Sequence, residues 1–201
     1  MIDEGYIKFD IDWRRGPPPD AQTVADLNRW RKLLYEAGLI GEYTDLGIGF
    51  GNISMRSGAA GHFVISGTQT GHLGDLGPEH YALVTGYDVA ANRVSCRGQV
   101  KASSESMTHA AIYELNPAIT GVVHVHSAAM WNRLINRLPT TNPDVAYGTP
   151  AMAQEFRRLY DDTDFVDKGV AIMAGHDEGI ISFGADLAEA AGRILDLRGR
   201  N

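Results

Sequence analysis

The sequence of 201 residues contains one cysteine, no run of basic residues and no long hydrophobic segment. A single cysteine, Cys96, excludes an internal disulfide framework and favours a reducing compartment. The net charge of −7 disfavours nucleic acid and anionic membranes as partners. No apolar run approaches the roughly 18–20 residues of a membrane span, and the acidic N-terminus does not look like a secretion signal. These absences predict a cytoplasmic protein.

The length and composition are typical of one soluble globular domain, with 44% hydrophobic and 21% charged residues. A Pro/Gly-rich break, RRGPPPD, separates an expected N-terminal arm, residues 1–19, from a domain over residues 20–201. The arm carries three aromatic residues, Tyr6, Phe9 and Trp13. They either dock on a neighbouring subunit or cover the protein's own sheet, and the sequence leaves both open.

The spacing of apolar residues predicts an α/β fold. A first helix is expected after Asp20 or Thr23, and further helices in SSESMTHAAIYELN, SAAMWNRLINRL, TPAMAQEFRRLY and DLAEAAGRILDL. Strands are expected in HFVISG, YALVTGYD, RVSCRG, ITGVVHVH, GVAIMAG and GIISFG. Several neighbouring strands have connections of hairpin length. They favour a mixed, mostly antiparallel sheet covered by helices over a doubly wound parallel sheet.

Two histidines lie two positions apart at the end of an apolar run, GVVHVHSAAM. In a strand, residues i and i+2 point to the same face, so His124 and His126 are suited to bind one cation. His176 lies in a glycine-rich loop, GHDEG, between two expected strands. Alone it would be an ordinary solvated histidine. Together with the pair it completes three imidazoles with an open position, which is typical of a catalytic divalent-metal site.

One carboxylate is a candidate for acid/base chemistry beside these imidazoles. Glu105 is expected in the first turn of a helix, where the helix dipole favours an acid and where Ser103 or Ser104 could serve as the cap. The alternative is that Glu105 faces the metal as a displaceable ligand or as a base. His109 is one helical turn further on, but its apolar neighbours favour a packed histidine.

Two glycine-rich segments, GFGNISMR and SGTQTG, combine flexible backbone with hydrogen-bond donors. The donors are supplied by Asn52, Ser54, Thr68 and Thr70. Such loops can hold a phosphate through backbone N–H groups and hydroxyls. They are equally typical of simple turns.

Five short motifs, GNIS, TQTG, SSESMTH, HVH and GHDEG, occur in an order that resembles the class II aldolase/adducin family over about residues 22–195. The resemblance implies a single-domain, three-layer fold with a central mixed sheet covered by helices on both sides. It also implies that His124, His126 and His176 bind a divalent metal, foremost Zn²⁺ with Mn²⁺, Fe²⁺ or Co²⁺ as alternatives. Glu105 would be a metal ligand that becomes the acid/base when substrate binds. The implied phosphate-binding residues are Gly51, Asn52, Thr70, Gly71, Ser103 and Ser104.

The activity implied by the resemblance is that of a metal-dependent lyase in carbohydrate metabolism. It would cleave a C–C bond of a small hydroxy-carbonyl substrate, phosphorylated or not, through a metal-stabilised enediolate. The implied assembly is a homotetramer with active sites between subunits. Open alternatives are an epimerase, a decarboxylase, a dehydratase, an Fe(II) oxygenase or a non-catalytic adducin-like interaction domain. Glutamate at position 105, where the related epimerases carry aspartate, favours aldolase or dehydratase chemistry.

Two features depart from the family pattern. The stretch between HVH and AYGTP is short, and no tyrosine follows Tyr160, whereas the aldolases use a C-terminal tyrosine as a proton donor. Tyr147 and Tyr160 are candidate substitutes.

Overall fold

The computed structural model describes residues 5–199, which form ten strands and six α-helices. The strands are β1 (Asp10–Arg15), β2 (Gly41–Tyr43), β3 (Ile48–Phe50), β4 (Asn52–Arg56), β5 (Phe63–Ser66), β6 (Tyr81–Asp88), β7 (Arg93–Gly98), β8 (Gly121–His126), β9 (Val170–Ile172) and β10 (Gly179–Gly184). The helices are α1 (Ala21–Glu36), α2 (Ser106–Leu115), α3 (Ala128–Leu134), α4 (Pro150–Asp162), α5 (Phe165–Lys168) and α6 (Leu187–Gly199).

Eight strands form one sheet in the order β1-β7-β6-β5-β4-β8-β10-β9. Every neighbouring pair is antiparallel except β1 and β7, which confirms the expected mixed and mostly antiparallel sheet. The strand β8 lies between β4 and β10 and is buried along its whole length. Burial on both faces suits its apolar sequence, GVVHVH.

Helices cover the sheet on both faces, as the three-layer prediction required. Val122 of β8 belongs to a core with α2, α4 and α5, whereas Val123 and Val125 belong to a second core with α1, α3 and α6. The side chains of β8 alternate between these faces. His124 and His126 therefore share the face of Val122, on the side where α2 begins.

The helix ends follow local sequence signals. The side chain of Asp20 accepts a hydrogen bond of 2.9 Å from the Thr23 N–H and caps α1. Thr149 caps α4, and Pro150 occupies its first turn. The helix predicted from SAAMWNRLINRL is shorter than expected, because Ile135 leaves the helical conformation.

The segment expected to form an N-terminal arm contributes to the sheet. Residues 10–15 form β1, an edge strand parallel to β7. Phe9 is buried and Trp13 packs against the same core, so these two aromatic residues cover the protein's own sheet. Tyr6 remains 65% exposed. Residues 1–4 and 200–201 of the predicted ranges lie outside the described residues, and the boundary at residue 19 stays a prediction.

One hairpin was not predicted. It pairs β2 with β3 in a separate two-stranded sheet, between α1 and the GNIS motif. In residues 5–199, no helix is both long enough and apolar enough to cross a membrane.

Candidate metal centre and active site

The three histidines singled out in the sequence converge on one point. The Nε2 atom of His124 lies 3.0 Å from that of His126, and the Nε2 atom of His176 lies 3.2 Å from each. All three side chains are buried. The centre of a triangle with such short edges lies within the roughly 2.0–2.1 Å at which imidazole nitrogens bind Zn²⁺. The arrangement therefore fits one divalent cation held by three imidazoles.

The loop that carries His176 depends on two close backbone approaches. Within it, the N–H of Met173 donates to the carbonyl of Gly179 at 3.0 Å, and the N–H of His176 donates to that of Met173 at 3.1 Å. A Cβ atom at Gly179 would lie 2.6 Å from Cδ2 of His176, and one at Gly175 would lie 2.1 Å from the carbonyl oxygen of Val145. Glycine at both positions lets the loop place its imidazole beside β8.

Glu105 lies next to the imidazoles. Its Oε1 atom is 3.4 Å from Nε2 of His176, and the side chain is completely buried. Neither carboxylate oxygen has a hydrogen-bond partner within residues 5–199. A buried carboxylate without partners is unfavourable unless a cation or a proton compensates it. The donor set that suits a divalent metal consists of the three imidazoles, and the carboxylate of Glu105 lies beside it, next to His176.

The position of Glu105 in the chain differs slightly from the expected one. It is the residue before α2, which begins at Ser106, rather than a member of the first turn. Neither serine is the N-cap of α2, because Glu105 occupies that position and forms no side-chain cap. The Ser103 hydroxyl instead accepts from the N–H of Glu105 at 3.2 Å, and the N–H of Ser106 donates to the Ser103 carbonyl at 3.0 Å. This turn points the carboxylate towards His176.

The protonation states at the site follow from burial. Burial raises the pKa of Glu105 to about 7, against smaller lowering effects of Thr108 and Lys8. Burial also lowers the pKa of His124 to about 4, with the backbone of Ile180 opposing the shift. The pKa of His126 and that of His176 lie well below the ordinary value of 6.5, again mainly because of burial. The imidazoles are thus neutral at pH 7, as metal binding requires, and the Glu105 carboxyl is partly protonated at this pH while no cation compensates its charge.

The six residues expected to bind phosphate line one narrow pocket, together with residues of the loop at 67–69. The six are Gly51, Asn52, Thr70, Gly71, Ser103 and Ser104. Asn52 pairs with His124 across β4 and β8, and Ser104 directly precedes Glu105. The pocket therefore adjoins the metal centre. Asn52 Oδ1 is buried and has no hydrogen-bond partner in the described part of the chain.

Two other polar candidates, Ser54 and His109, are hydrogen-bonded to each other in the protein core. The Oγ atom of Ser54 is hydrogen-bonded to Nδ1 of His109 at 2.7 Å and to the hydroxyl of Tyr113 at 2.8 Å. Ser54 is thus not a donor to the pocket, in contrast to the expectation. His109 is buried, which confirms the packed-histidine interpretation.

A buried arginine that was not among the predicted residues supports the loop beside the pocket. Arg31 is only 2% exposed, and its guanidinium donates to the carbonyl oxygens of Thr70 at 2.9 Å and Gly74 at 3.3 Å. The sequence nevertheless contains a signal for it. Arg31 stands on the buried face of α1, in the stripe that otherwise consists of Val24, Leu27 and Leu34. A charged residue in such a stripe indicates a specific partner.

Of the two tyrosines considered as substitutes for the C-terminal tyrosine, Tyr147 lies beside the metal centre, and Tyr160 lies far from it. The ring of Tyr147 packs against His176 with centroids 4.3 Å apart, and the ammonium of Lys8 lies 3.7 Å from the centre of the same ring. The Tyr147 hydroxyl donates to the carbonyl of Tyr6 at 3.3 Å. Tyr160 accepts a hydrogen bond from Asn116, at the end of α2 opposite Glu105 and thus about 15 Å along the helix.

Comparison with known proteins places this chain in a family. The family model described as "Class II Aldolase and Adducin N-terminal domain" matches residues 33–198. The chain belongs to the class II aldolase/adducin family.

Several solved structures of this family have a similar fold. An L-fuculose 1-phosphate aldolase superposes with a TM-score of 0.65 at 17% identity, covering 90% of this chain and 84% of that one. A sugar-phosphate aldolase from Thermotoga maritima has a TM-score of 0.64 at 18% identity, covering 90% and 97%. YgbL from Klebsiella pneumoniae has a TM-score of 0.62 at 21% identity, covering 88% and 84%. At these identities the likeness establishes the shared fold.

Proposed function

We propose that this member of the class II aldolase/adducin family is a metal-dependent lyase that cleaves a C–C bond by aldol-type chemistry. The observation that supports it best is the buried triangle of His124, His126 and His176 beside the unpartnered carboxylate of Glu105. An interaction domain without catalysis has no need for such a costly set of buried polar groups. The aldolases among the similar structures agree with this choice.

The metal that we propose is Zn²⁺, with the three histidines and Glu105 as its ligands. Neutral imidazoles with one further position suit catalytic zinc, although they also accept Mn²⁺, Fe²⁺ or Co²⁺. When bound, the metal supplies Lewis-acid chemistry to the substrate oxygens.

Glu105 is proposed to move the proton at the carbon next to the substrate carbonyl. In the cleavage direction, the hydroxyl of the leaving half loses its proton and becomes a carbonyl, while the electron pair of the broken C–C bond stays on the other half. A proton must then be added at that carbon. A carboxyl group that lies beside the imidazoles, as Glu105 does, can hold and release this proton once substrate has displaced it from the metal.

The glycine-rich pocket is proposed to bind a phosphate group of the substrate. It adjoins the metal centre and offers the hydroxyls of Ser103 and Ser104, the amide of Asn52 and the backbone at Thr70 and the neighbouring glycines. The Thr70 hydroxyl itself donates to the carbonyl of Gly67 at 2.8 Å. Backbone N–H groups and hydroxyls of this kind bind phosphate oxygens well. We further propose a cytoplasmic homotetramer acting in carbohydrate metabolism, as the family resemblance implies.

The proposal is tested by proton exchange with dihydroxyacetone phosphate, a small phosphorylated hydroxy-ketone. In D₂O, the zinc-loaded protein should exchange a C–H proton next to the carbonyl, and ¹H NMR should record the loss of that signal. Removal of the metal with a chelator, or the substitution Glu105→Gln, should abolish the exchange. Unphosphorylated dihydroxyacetone should exchange more slowly, because it lacks the group that the pocket holds.

The outcomes distinguish the parts of the proposal. Exchange that persists in Glu105→Gln would contradict the role of this carboxylate. Equal rates for both ketones would contradict the phosphate pocket. YgbL is named as a candidate aldolase, epimerase or decarboxylase, so product analysis with added aldehydes must follow. Formation of a new C–C bond supports a lyase, and exchange without any bond formation favours an epimerase.

A further inference from the structure

A tyrosine from the unpredicted hairpin connects two elements of the metal centre. The hydroxyl of Tyr43, in β2, lies 3.0 Å from Nδ1 of His126 and donates to Oε2 of Glu178 at 2.8 Å. Glu178 belongs to the loop that carries His176, two residues further along the chain. One hydroxyl thus bridges the strand that supplies His126 and the loop that supplies His176.

The hydrogen bonds that link His126, Tyr43 and Glu178 determine the tautomer of His126. An ionised carboxylate only accepts hydrogen bonds, so the single hydroxyl proton of Tyr43 is used in the bond to Glu178. The Tyr43 oxygen can then only accept from His126, which requires a proton on Nδ1 of the imidazole. The lone pair of a neutral ring is consequently on Nε2, the nitrogen that faces His124 and His176. This is the tautomer needed to bind a metal through Nε2.

The hairpin also fixes the ring of His126 by packing. The ring of Phe50, in β3, lies with its centroid 5.5 Å from that of His126, and the ring of Tyr43 lies 4.7 Å from that of Phe50. Both aromatic residues belong to the short sheet of β2 and β3. The ring of Tyr43 also lies edge-on to that of His126, with centroids 6.2 Å apart. The hairpin therefore holds the ligand through one hydrogen bond and two aromatic contacts.

Glu178 adopts a backbone conformation that few side chains accept. Its φ angle is +66°, in the left-handed region, where only glycine is free of strain and asparagine is tolerated well. Its carbonyl accepts a hydrogen bond of 3.0 Å from the N–H of Ser127, the residue after His126. This position suits glycine or asparagine, so the presence of glutamate indicates a functional role for its carboxylate.

We propose that Tyr43 and Glu178 form a positioning pair that orients His126 and selects its metal-binding tautomer. The inference deepens the proposed function, because it rests on the metal site described there. It assigns a role to the hairpin inserted before the GNIS motif. Neither residue is among the proposed metal ligands, and the pair would act through His126.

Two substitutions test the pair. Tyr43→Phe keeps the ring and removes the hydroxyl. Glu178→Asn keeps a residue that tolerates the left-handed conformation, but its side chain is too short to reach Tyr43. Each should weaken Zn²⁺ binding about 10–100-fold, the usual effect of removing such a partner of a ligand histidine. Affinity is measured by competition with a chromophoric chelator. The visible spectrum of the Co²⁺-loaded protein should also change, because the orientation of the His126 ligand is altered.

Matched measurements separate this role from a structural one. Tyr35→Phe is the control, since its hydroxyl donates to the backbone carbonyl of His72 at 3.3 Å. It should leave the affinity and the Co²⁺ spectrum unchanged. A purely structural role predicts that Glu178→Asn, which relieves backbone strain, leaves zinc affinity unchanged and raises the urea midpoint of the metal-free protein.

The results also distinguish this inference from the proposed function. If the wild-type protein binds no divalent metal, the proposed function and the inference both fail. If the wild-type protein binds zinc and both variants bind it equally tightly with the same Co²⁺ spectrum, the metal site stands and the positioning pair is refuted.

Discussion

The burial of Glu105 predicts that its neutral isostere makes the metal-free protein more stable. The carboxyl group has a folded pKa of about 7, above its ordinary value of 4.5, because burial disfavours its charged form more than Thr108 and Lys8 favour it. A raised folded pKa means that the unfolded chain releases this proton at a lower pH than the folded one. The cost to stability is therefore small below pH 4.5 and grows as the pH rises to 7.

The size of the effect follows from the two pKa values. At about 1.4 kcal/mol per pH unit, the difference between 4.5 and about 7 corresponds to roughly 3 kcal/mol at pH 8. At pH 5 most of this cost is absent, and about 1 kcal/mol remains. Glu105→Gln removes the ionisable group but keeps its shape. The variant should thus be more stable than the wild type by roughly 3 kcal/mol at pH 8 and by about 1 kcal/mol at pH 5.

The assay is urea unfolding of chelator-treated protein at both pH values. Glu114→Gln, at an exposed position of the same helix, is the control and should change the free energy of unfolding by less than about 0.5 kcal/mol. With saturating Zn²⁺ the wild type should be more stable than Glu105→Gln, because the carboxylate then faces a cation. A metal-free Glu105→Gln variant that is no more stable than the wild type at pH 8 would refute the reasoning. So would a difference that does not depend on pH.

Three further predictions concern the histidines and their surroundings, and Gly192→Ala is the control for one of them. His126→Ala should lose the bound metal, which elemental analysis of the purified variant checks against about one ion per wild-type chain. Gly179→Ala should also weaken metal binding, because its Cβ atom would lie 2.6 Å from Cδ2 of His176. Gly192→Ala, in an open position of α6, should instead stabilise the protein by about 0.5–1 kcal/mol. The metal-free protein should lose stability below pH 6.5. Histidines of the unfolded chain bind protons in this range, whereas the buried histidines of the folded protein have lowered pKa values and stay neutral. For His124, whose folded pKa is about 4, the loss at pH 5.5 is about 1.4 kcal/mol, and acid unfolding followed by circular dichroism checks it. The histidines concerned are His109, His124, His126 and His176.

Features that depend on local chemistry could be predicted from the sequence. Alternation along a strand put His124 and His126 on one face of β8, and the cap at Asp20 marks the beginning of α1. Hairpin-length connections indicated the antiparallel sheet, because short links join only antiparallel neighbours. The order of the short motifs indicated the family, and the family model confirmed it. Each of these signals lies within a few residues of the structure that it specifies.

Features that depend on distant residues were decided by the tertiary structure. Tyr43 and His126 are 83 residues apart, and no local pattern announces that their side chains meet. The same holds for β1, whose pairing with β7 draws the expected arm into the sheet, and for Arg31, whose carbonyl partners follow 39 to 43 residues later. The surroundings of Glu105 likewise include His176, which lies 71 residues further along the chain. A side chain's pKa and its hydrogen-bond partners depend on everything that packs against it, so only the folded chain determines them.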